Sequence, residues 1–537
     1  MAGPTTAERI LALLHSSGVT TAFGLPGVHN LAFWSADAEP LELITVRHEQ
    51  TAAFAADGLA RATGGLGVAL ATSGPGAANT VAAIGEAAAS RSPVLLIASD
   101  VPLDLRTPGR VRGLLHESEN QGALFEPLVK AVLQPTTPEG AVAAATLAVE
   151  TALAAPTGPV YLGIPADVLK QTAPAADLPH HAVRSPVSAA QLTAAAELVN
   201  ASRRPVIWAG GGVVSSNAVD SLDALAWRLG APVVTTYAGR GSLAAGHPLL
   251  VDAPIHEPVV DELLASADLL LVLGSALDGM STRNWAMARP DRVIDVNLAP
   301  SGELEPEVTV VGDVRSVVDA LAVRLRPRDP WADAPFALRD EVRRRAVTDP
   351  QTTSAVELVE AVERAWPDDG VVVCDMAVAG YWVGGYAAMS RPRRLAYPVG
   401  WGTLGFGLPA AIGAATTGRP TLAVVGDGGL AMAVGELATV VQNQLPVTLL
   451  VVDDGGYGML RFDAERGGRP ATGLDLIGPD WCALAAAYGI SAVEVHGTEQ
   501  VALALSAAAE DPAPAMVVWR AALYPPRSTS PRWADPD

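Results

Sequence analysis

The chain has 537 residues, half of them hydrophobic and 17% charged, with a net charge of −21. That apolar share is enough for several sizeable cores, and the length suggests about three or four domains. The acidity excludes nucleic acid and anionic membrane as partners, no apolar run reaches the about 18 residues of a membrane span, and two cysteines are too few for a disulfide framework or metal cluster.

Residues 1–14 lack the basic segment and long apolar stretch of a secretory leader, which predicts a cytoplasmic protein. A turn, Gly24-Leu25-Pro26-Gly27-Val28-His29, comes next. Arg47-His48-Glu49 then opens an alanine-rich helix that runs through Asp57-Gly58, and Ala71-Thr72-Ser73-Gly74-Pro75-Gly76-Ala77-Ala78-Asn79 follows. Residues 165–191 and 326–353, rich in proline or charge, read as linkers. They divide the chain into units at 1–175, 190–327 and 350–537. The middle unit opens with a strand at 205–209 that ends in Gly210-Gly211-Gly212, and has further buried strands at 267–274 and 292–296. Its glycine turn either cradles a dinucleotide or only joins strand to helix.

The third unit carries Asp375-Met376-Ala377-Val378-Ala379, then Gly400-Trp401-Gly402-Thr403-Leu404-Gly405-Phe406-Gly407. Residues 421–425 and 446–452 are β-branched and apolar without alternation, as strands buried on both faces are, and 430–444 reads as the helix between them. In such a β-α-β unit Asp427 and Asp454 fall just past the carboxyl ends of parallel strands, where open α/β sheets bind ligands. Gly426, Gly428 and Gly429 allow close approach of an anion to the following helix, and two hard carboxylates beside a phosphate cradle suggest Mg²⁺ holding a diphosphate. The predicted fold class is α/β, with three doubly wound parallel-sheet domains.

Gly426-Asp427-Gly428 with Asp453-Asp454-Gly455 resembles the thiamin-diphosphate motif. Together with the first-unit segments and residues 400–411, in order and spacing, it is similar to the acetohydroxyacid synthase and 2-oxoacid decarboxylase superfamily over nearly the whole chain. The resemblance implies a pyrimidine-binding first domain, a central domain and a diphosphate-binding third domain. Asp427, the Asp454 side chain and the Gly456 carbonyl would bind Mg²⁺. Pro26, Gly27 and Thr72 would line the cofactor beside Glu49, which would act on the pyrimidine N1′ so that the thiazolium carbon becomes acidic. Leu404 would be the apolar fulcrum under the bent cofactor, and the Gly402 carbonyl would accept from the 4′-amino group. Val378 and Ala379 stand where many relatives carry Gln-His near the diphosphate. Gly426, Gly428 and Gly429, with Tyr457, Gly458 and Met459, would complete the cofactor contacts.

For the substrate, His29 resembles a benzaldehyde-lyase histidine, and Gln121 the glutamine that contacts carbonyls in synthases and lyases; with Glu49 they form the implied catalytic set. His116 lies near but forms no His-His pair like that of pyruvate decarboxylases. There are departures. Asp454 replaces Asn; Leu277-Asp278-Gly279-Met280 lacks the arginine of the Phe-Asp-Asp-Arg segment, with Arg283 close by; and Phe462-Asp463 replaces a Trp. FAD is therefore not expected. The resulting expectation is a cytoplasmic homodimer or dimer of dimers, with the cofactor between the first domain of one subunit and the third of its partner. It would decarboxylate a 2-oxoacid such as pyruvate and pass the acyl unit to a second carbonyl, like acetolactate synthase. Benzaldehyde-lyase-like chemistry on acyloins and aldehydes, or a non-catalytic regulatory subunit, are the alternatives.

Overall fold

The computed structural model describes residues 3–35, 41–107, 109–175, 186–300, 305–333, 335–529 and 532. Its strands form three sheets of six, and every strand pairing is parallel. The first sheet contains β1 (Thr21–Gly24), β2 (Glu42–Thr45), β3 (Gly67–Ala71), β4 (Val94–Asp100), β5 (Val132–Leu133) and β6 (Val160–Pro165), in the order β2-β1-β3-β4-β6-β5. The central sheet contains β7 (Pro205–Ala209), β8 (Val233–Thr235), β9 (Leu250–Val251), β10 (Leu269–Leu273), β11 (Val293–Asn297) and β12 (Val308–Val311), in the order β12-β11-β10-β7-β8-β9. The third contains β13 (Val371–Cys374), β14 (Leu395–Ala396), β15 (Thr421–Gly426), β16 (Val447–Asp453), β17 (Ser491–Val495) and β18 (Ala515–Arg520), in the order β14-β13-β15-β16-β18-β17. Helices on both faces explain the unbroken apolar runs of the inner strands, so the α/β class holds.

Two departures from the expected elements have tertiary causes. The helix predicted at 430–444 starts at Asp427 and is broken, as Asp427–Ala433, a 3₁₀ turn at Val434–Glu436, and Leu437–Gln442. Buried Glu436 at the break accepts from the Arg47 N–H at 3.0 Å and from Thr439 Oγ1 at 2.6 Å. The stretch 326–353, read as a linker, holds the helix Ala337–Thr348, whose Arg339 pairs with Glu363 at 2.8 Å and Asp252 at 3.3 Å.

The first and third sheets share one core, in which helix Glu49–Thr63 crosses helix Gly407–Ala415. Small residues let the two backbones touch. A Cβ on Gly58 would lie 2.0 Å from the Ala410 carbonyl oxygen, and one on Gly413 would lie 1.8 Å from that of Ala55. Gly413→Ala is therefore expected to cost about 1–3 kcal/mol, as overpacking does; an unchanged midpoint in thermal or denaturant unfolding would show that the helices can separate. Arg61 adds a buried polar tie across the same interface. It grips Asp57 at 2.9 and 2.7 Å and reaches Glu86 at 3.0 Å and the Tyr397 carbonyl at 3.0 Å. Glu86 in turn accepts from Thr403 Oγ1 at 3.2 Å, beside Leu404. Among the described residues no helix is long and apolar enough to cross a membrane.

Candidate active site

Strand order reverses between β1 and β3 in the first sheet and between β13 and β15 in the third, and most motif residues lie on the loops leaving those strands. Such switch points open a crevice at the carboxyl ends of parallel strands.

On the first sheet, His48 caps helix Glu49–Thr63 by accepting from the Gln50 N–H at 3.1 Å. Glu49, its first residue, is 8% exposed, so its carboxyl is largely withdrawn from water. One oxygen accepts from Asn79 Nδ2 at 2.9 Å. The other looks toward Gly76, where a Cβ would meet Glu49 Oε1 at 3.2 Å and the Thr72 side chain at 2.6 Å. Gly27 presses on Thr72 just as closely, a Cβ there meeting it at 2.6 Å, and Pro26 stands exposed at the rim. Thr72 Oγ1 is buried with no hydrogen-bond partner among the described residues. An orphaned hydroxyl of this kind invites a ligand.

His29 Nδ1 lies 2.6 Å from Ser73 Oγ, and the same hydroxyl lies 3.1 Å from His116 Nδ1. The two rings stand edge-on, 5.6 Å apart. His116, read from the sequence as merely nearby, thus joins a second histidine through space although no second histidine adjoins it in the chain. It adopts a left-handed φ of 63° directly over Gly74, where a Cβ would meet His116 Cβ at 2.7 Å. Burial, then the neighbouring His116, lowers the pKa of His29 below the ordinary histidine value. Gln121 is buried and heavily engaged. Its Oε1 accepts from the Gly74 N–H at 2.6 Å, and Nε2 donates to the Ser99 carbonyl at 3.0 Å and to Tyr161 OH at 2.7 Å. With both amide hydrogens committed, it braces the Ser73-Gly74 turn.

On the third sheet, Asp375 organises the loop around Leu404. Its Oδ1 accepts from Met376 N–H at 2.7 Å and Gly405 N–H at 3.1 Å, and its Oδ2 from Gly407 N–H at 3.1 Å. Burial nevertheless pushes its carboxyl up to about 6. Gly402 and Gly405 both take a left-handed φ of 77°, and half-buried Leu404 sits between them. Val378 and Ala379 begin the buried helix Val378–Tyr386, where first-turn N–H groups have no intrahelical acceptor.

Gly426 precedes the helix that Asp427 begins. Asp427 is 3% exposed and its Oδ2 has no partner among the described residues. Burial first, then Asp453 and Asp454, pushes its carboxyl up to about 6. A Cβ on Gly428 would meet the Tyr457 ring at 2.8 Å and the Gly456 oxygen at 3.5 Å, and one on Gly429 would meet Asp375 Oδ2 at 2.9 Å. These glycines therefore bring the helix start against the 454–457 turn and Asp375, where the motif reading assigned them to an anion. Asp454 is held by Arg461, whose Nη2 donates to Oδ1 at 2.8 Å and to the backbone carbonyl at 2.7 Å, while Nη1 donates to Asp475 at 2.9 Å. Asp454 accordingly has a counter-ion for the charge that an asparagine would lack. Gly458 makes room for it, since a Cβ there would lie 1.9 Å from Asp454 Oδ2. The Tyr457 N–H donates to the Leu474 carbonyl at 2.9 Å, and half-buried Met459 follows on helix Gly458–Arg466.

Among the described residues no three His, Cys, Asp or Glu side chains converge on a metal position. The set at hand is two carboxylates, one with a buried orphaned oxygen, and the Gly456 carbonyl. It fits Mg²⁺ when diphosphate oxygens complete the hard-oxygen shell. Sequence reasoning assigned no role to Asn79, Asp375, Ser73 or Arg461. The first three lie inside segments already singled out, while Arg461 reaches Asp454 only because the helix after Gly458 folds back, which no spacing signals.

Three family models match in chain order: the thiamine pyrophosphate enzyme N-terminal TPP binding domain at residues 4–124, the central domain at 192–321, and the C-terminal TPP binding domain at 375–519. The chain is 35% identical over 506 residues to a probable 2-ketoarginine decarboxylase of Pseudomonas aeruginosa, covering 90% of this chain and 88% of the relative. It is 30% identical over 531 residues to a probable acetolactate synthase large subunit of Methanocaldococcus jannaschii, covering 92% and 88%. Among solved structures, a thiamine diphosphate-dependent 4-hydroxybenzoylformate decarboxylase of Rhodococcus jostii RHA1 superposes with a TM-score of 0.83 at 26% identity, covering 97% of this chain and 100% of that one.

Proposed function

Because the chain belongs to the thiamine pyrophosphate enzyme family, we propose that it decarboxylates a 2-oxoacid and passes the acyl fragment to a second carbonyl, in the manner of an acetolactate synthase. The protein is a thiamin-diphosphate-dependent decarboxylase or carboligase. Acyl transfer is supported by the likeness to acetolactate synthases, and cofactor binding by one observation of the fold. Two half-sites sit at equivalent switch points, a buried acid with an orphaned hydroxyl on the first sheet and a metal-ready carboxylate pair on the third.

When bound, thiamin diphosphate would supply a nucleophilic carbon and an electron sink for cleavage of a C–C bond next to a carbonyl. The chain's own residues do the rest. Asp427, Asp454 and the Gly456 carbonyl would hold Mg²⁺; Val378, Ala379 and Gly426 would meet the diphosphate; Leu404 and Gly402 would support the pyrimidine side. Glu49, oriented by Asn79, would hold or release a proton toward the pyrimidine, and His29 would face the reacting carbonyl. The protein would assemble as a homodimer or dimer of dimers, the first unit of one subunit facing the third of its partner.

A second reading, release of the acyl fragment as an aldehyde, draws support from the segment at 277–280. Met280 offers no cation for a second 2-oxoacid, and Arg283 is already paired with Asp261 at 2.6 Å. A screen of 2-oxoacids beginning with pyruvate, with CO₂ release measured and products identified, separates the readings. An acyloin acid supports transfer, an aldehyde supports simple decarboxylation, and cleavage of acyloins without CO₂ points to a lyase. Cofactor-loaded protein that releases no CO₂ from any 2-oxoacid would overturn both decarboxylating readings.

The purified protein is also expected to be colourless and to gain nothing from added FAD. At the central sheet's own switch point, between β7 and β10, the Gly210 and Gly212 N–H groups are spent on the Leu273 and Gly274 carbonyls, each at 2.9 Å. The glycines serve contact between backbones: a Cβ on Gly212 would lie 2.5 Å from Gly274 Cα. An absorption scan checks this, and stoichiometric flavin would refute it.

A further inference from the structure

We propose that Ser73 is the middle member of a proton relay, His116–Ser73–His29, that carries one proton from solvent to the substrate in each turnover. The inference rests on the decarboxylating reading above, because converting a 2-oxoacid anion to CO₂ and an aldehyde or acyloin consumes one proton from water. Geometry supplies the path. One buried hydroxyl lies 2.6 Å from His29 Nδ1 and 3.1 Å from His116 Nδ1, and both rings are only half-buried.

A hydroxyl has a single hydrogen, so it donates to one imidazole and accepts from the other. The two neutral rings must then be opposite tautomers, one with its proton on Nδ1 and the other on Nε2. In the competent state His116 Nδ1–H donates to Ser73, and Ser73 O–H donates to His29. When His29 gives its Nε2 proton to the reacting substrate, its Nδ1 takes the serine proton, the serine oxygen takes the His116 Nδ1 proton, and His116 Nε2 takes one from water. No ring changes its charge and both tautomers invert; once product has left, His29 Nε2 takes a proton from water and the chain runs back to release one from His116 Nε2, restoring the starting tautomers. The surroundings suit a neutral His29: besides its burial and His116, the charged groups acting on it are Asp100, itself paired with Arg106, and Lys170.

The fixed backbone also fits. Ser73 sits between Thr72, which faces Gly76 beside Glu49, and Gly74, whose N–H is bonded to Gln121. Ser73 and His116 are thus positioning residues that act through His29.

The test begins with nitrogen NMR of the whole protein carrying isotope-labelled histidine, at neutral pH and without cofactor, with signals assigned through His29→Gln and His116→Gln. One Nδ1–H and one Nε2–H neutral ring are expected, and Ser73→Ala should abolish that pairing. Two rings of the same tautomer, two charged rings, or spectra indifferent to Ser73→Ala would overturn the relay whatever the enzyme's activity. With a decarboxylated 2-oxoacid in hand, Ser73→Ala should bind thiamin diphosphate as the wild type does yet release CO₂ roughly 10²-fold more slowly, the scale of a lost acid–base contact, with an altered pH profile. Unchanged turnover and profile would equally overturn it. A folded Ser73→Thr, which keeps the hydroxyl, should restore much of the rate.

Discussion

Glu49→Gln is expected to lower turnover by at least about 10²-fold while leaving the folded protein and its affinity for thiamin diphosphate intact. Gln fills the same volume at the helix start, and its amide can still pair with Asn79, whose present bond to Glu49 is 2.9 Å. What it cannot do is take up and return a proton. Among the described residues no second acid is hydrogen-bonded with Glu49; its partner there is Asn79. Circular dichroism of the bound cofactor, read beside steady-state rates, separates binding from proton transfer. Near wild-type rates would remove Glu49 from the mechanism.

Asp427→Ala is expected to abolish saturable cofactor binding, whereas Asp454→Asn should still bind Mg²⁺ and thiamin diphosphate and remain active. The asymmetry follows from the surroundings. Asp427 presents a buried oxygen with no hydrogen-bond partner among the described residues, so on the proposed reading its removal deletes a ligand that nothing replaces. Asp454 is already neutralised by Arg461, and an amide oxygen at that position still suits a hard cation. Arg461 would keep Asp475, 2.9 Å from its guanidinium, when Asp454 loses its charge. Cofactor titration with Mg²⁺ present reads both variants. Failure of Asp454→Asn together with normal binding by Asp427→Ala would show that the metal ligands have been misassigned.

The sheets were legible because their strands are apolar runs flanked by glycine, a local property. The placement of Asp427 just past the carboxyl end of its strand was equally local. What could not be read were the contacts between segments far apart in the chain. The break at Val434–Glu436 exists because Glu436 turns to the Arg47 backbone, a residue far away in sequence. The His29–His116 pairing required Ser73 as a bridge between two loops. Gln121 looked like a substrate contact by position, yet buried hydrogen bonds to Gly74, Ser99 and Tyr161 absorb its amide. In each case the residue type was visible and its partner was not.

The contact between helices Glu49–Thr63 and Gly407–Ala415 has a symmetry of its own. Each helix precedes the third strand of its sheet, and those sheets share one order when their strands are counted from the start of each unit. Gly58 meets Ala410 as Gly413 meets Ala55, the reciprocal pattern that a twofold axis imposes on two like surfaces. A single chain thus has the geometry of a covalently tethered pair of like scaffolds, one of which carries the buried Glu49 and the other the buried Asp427.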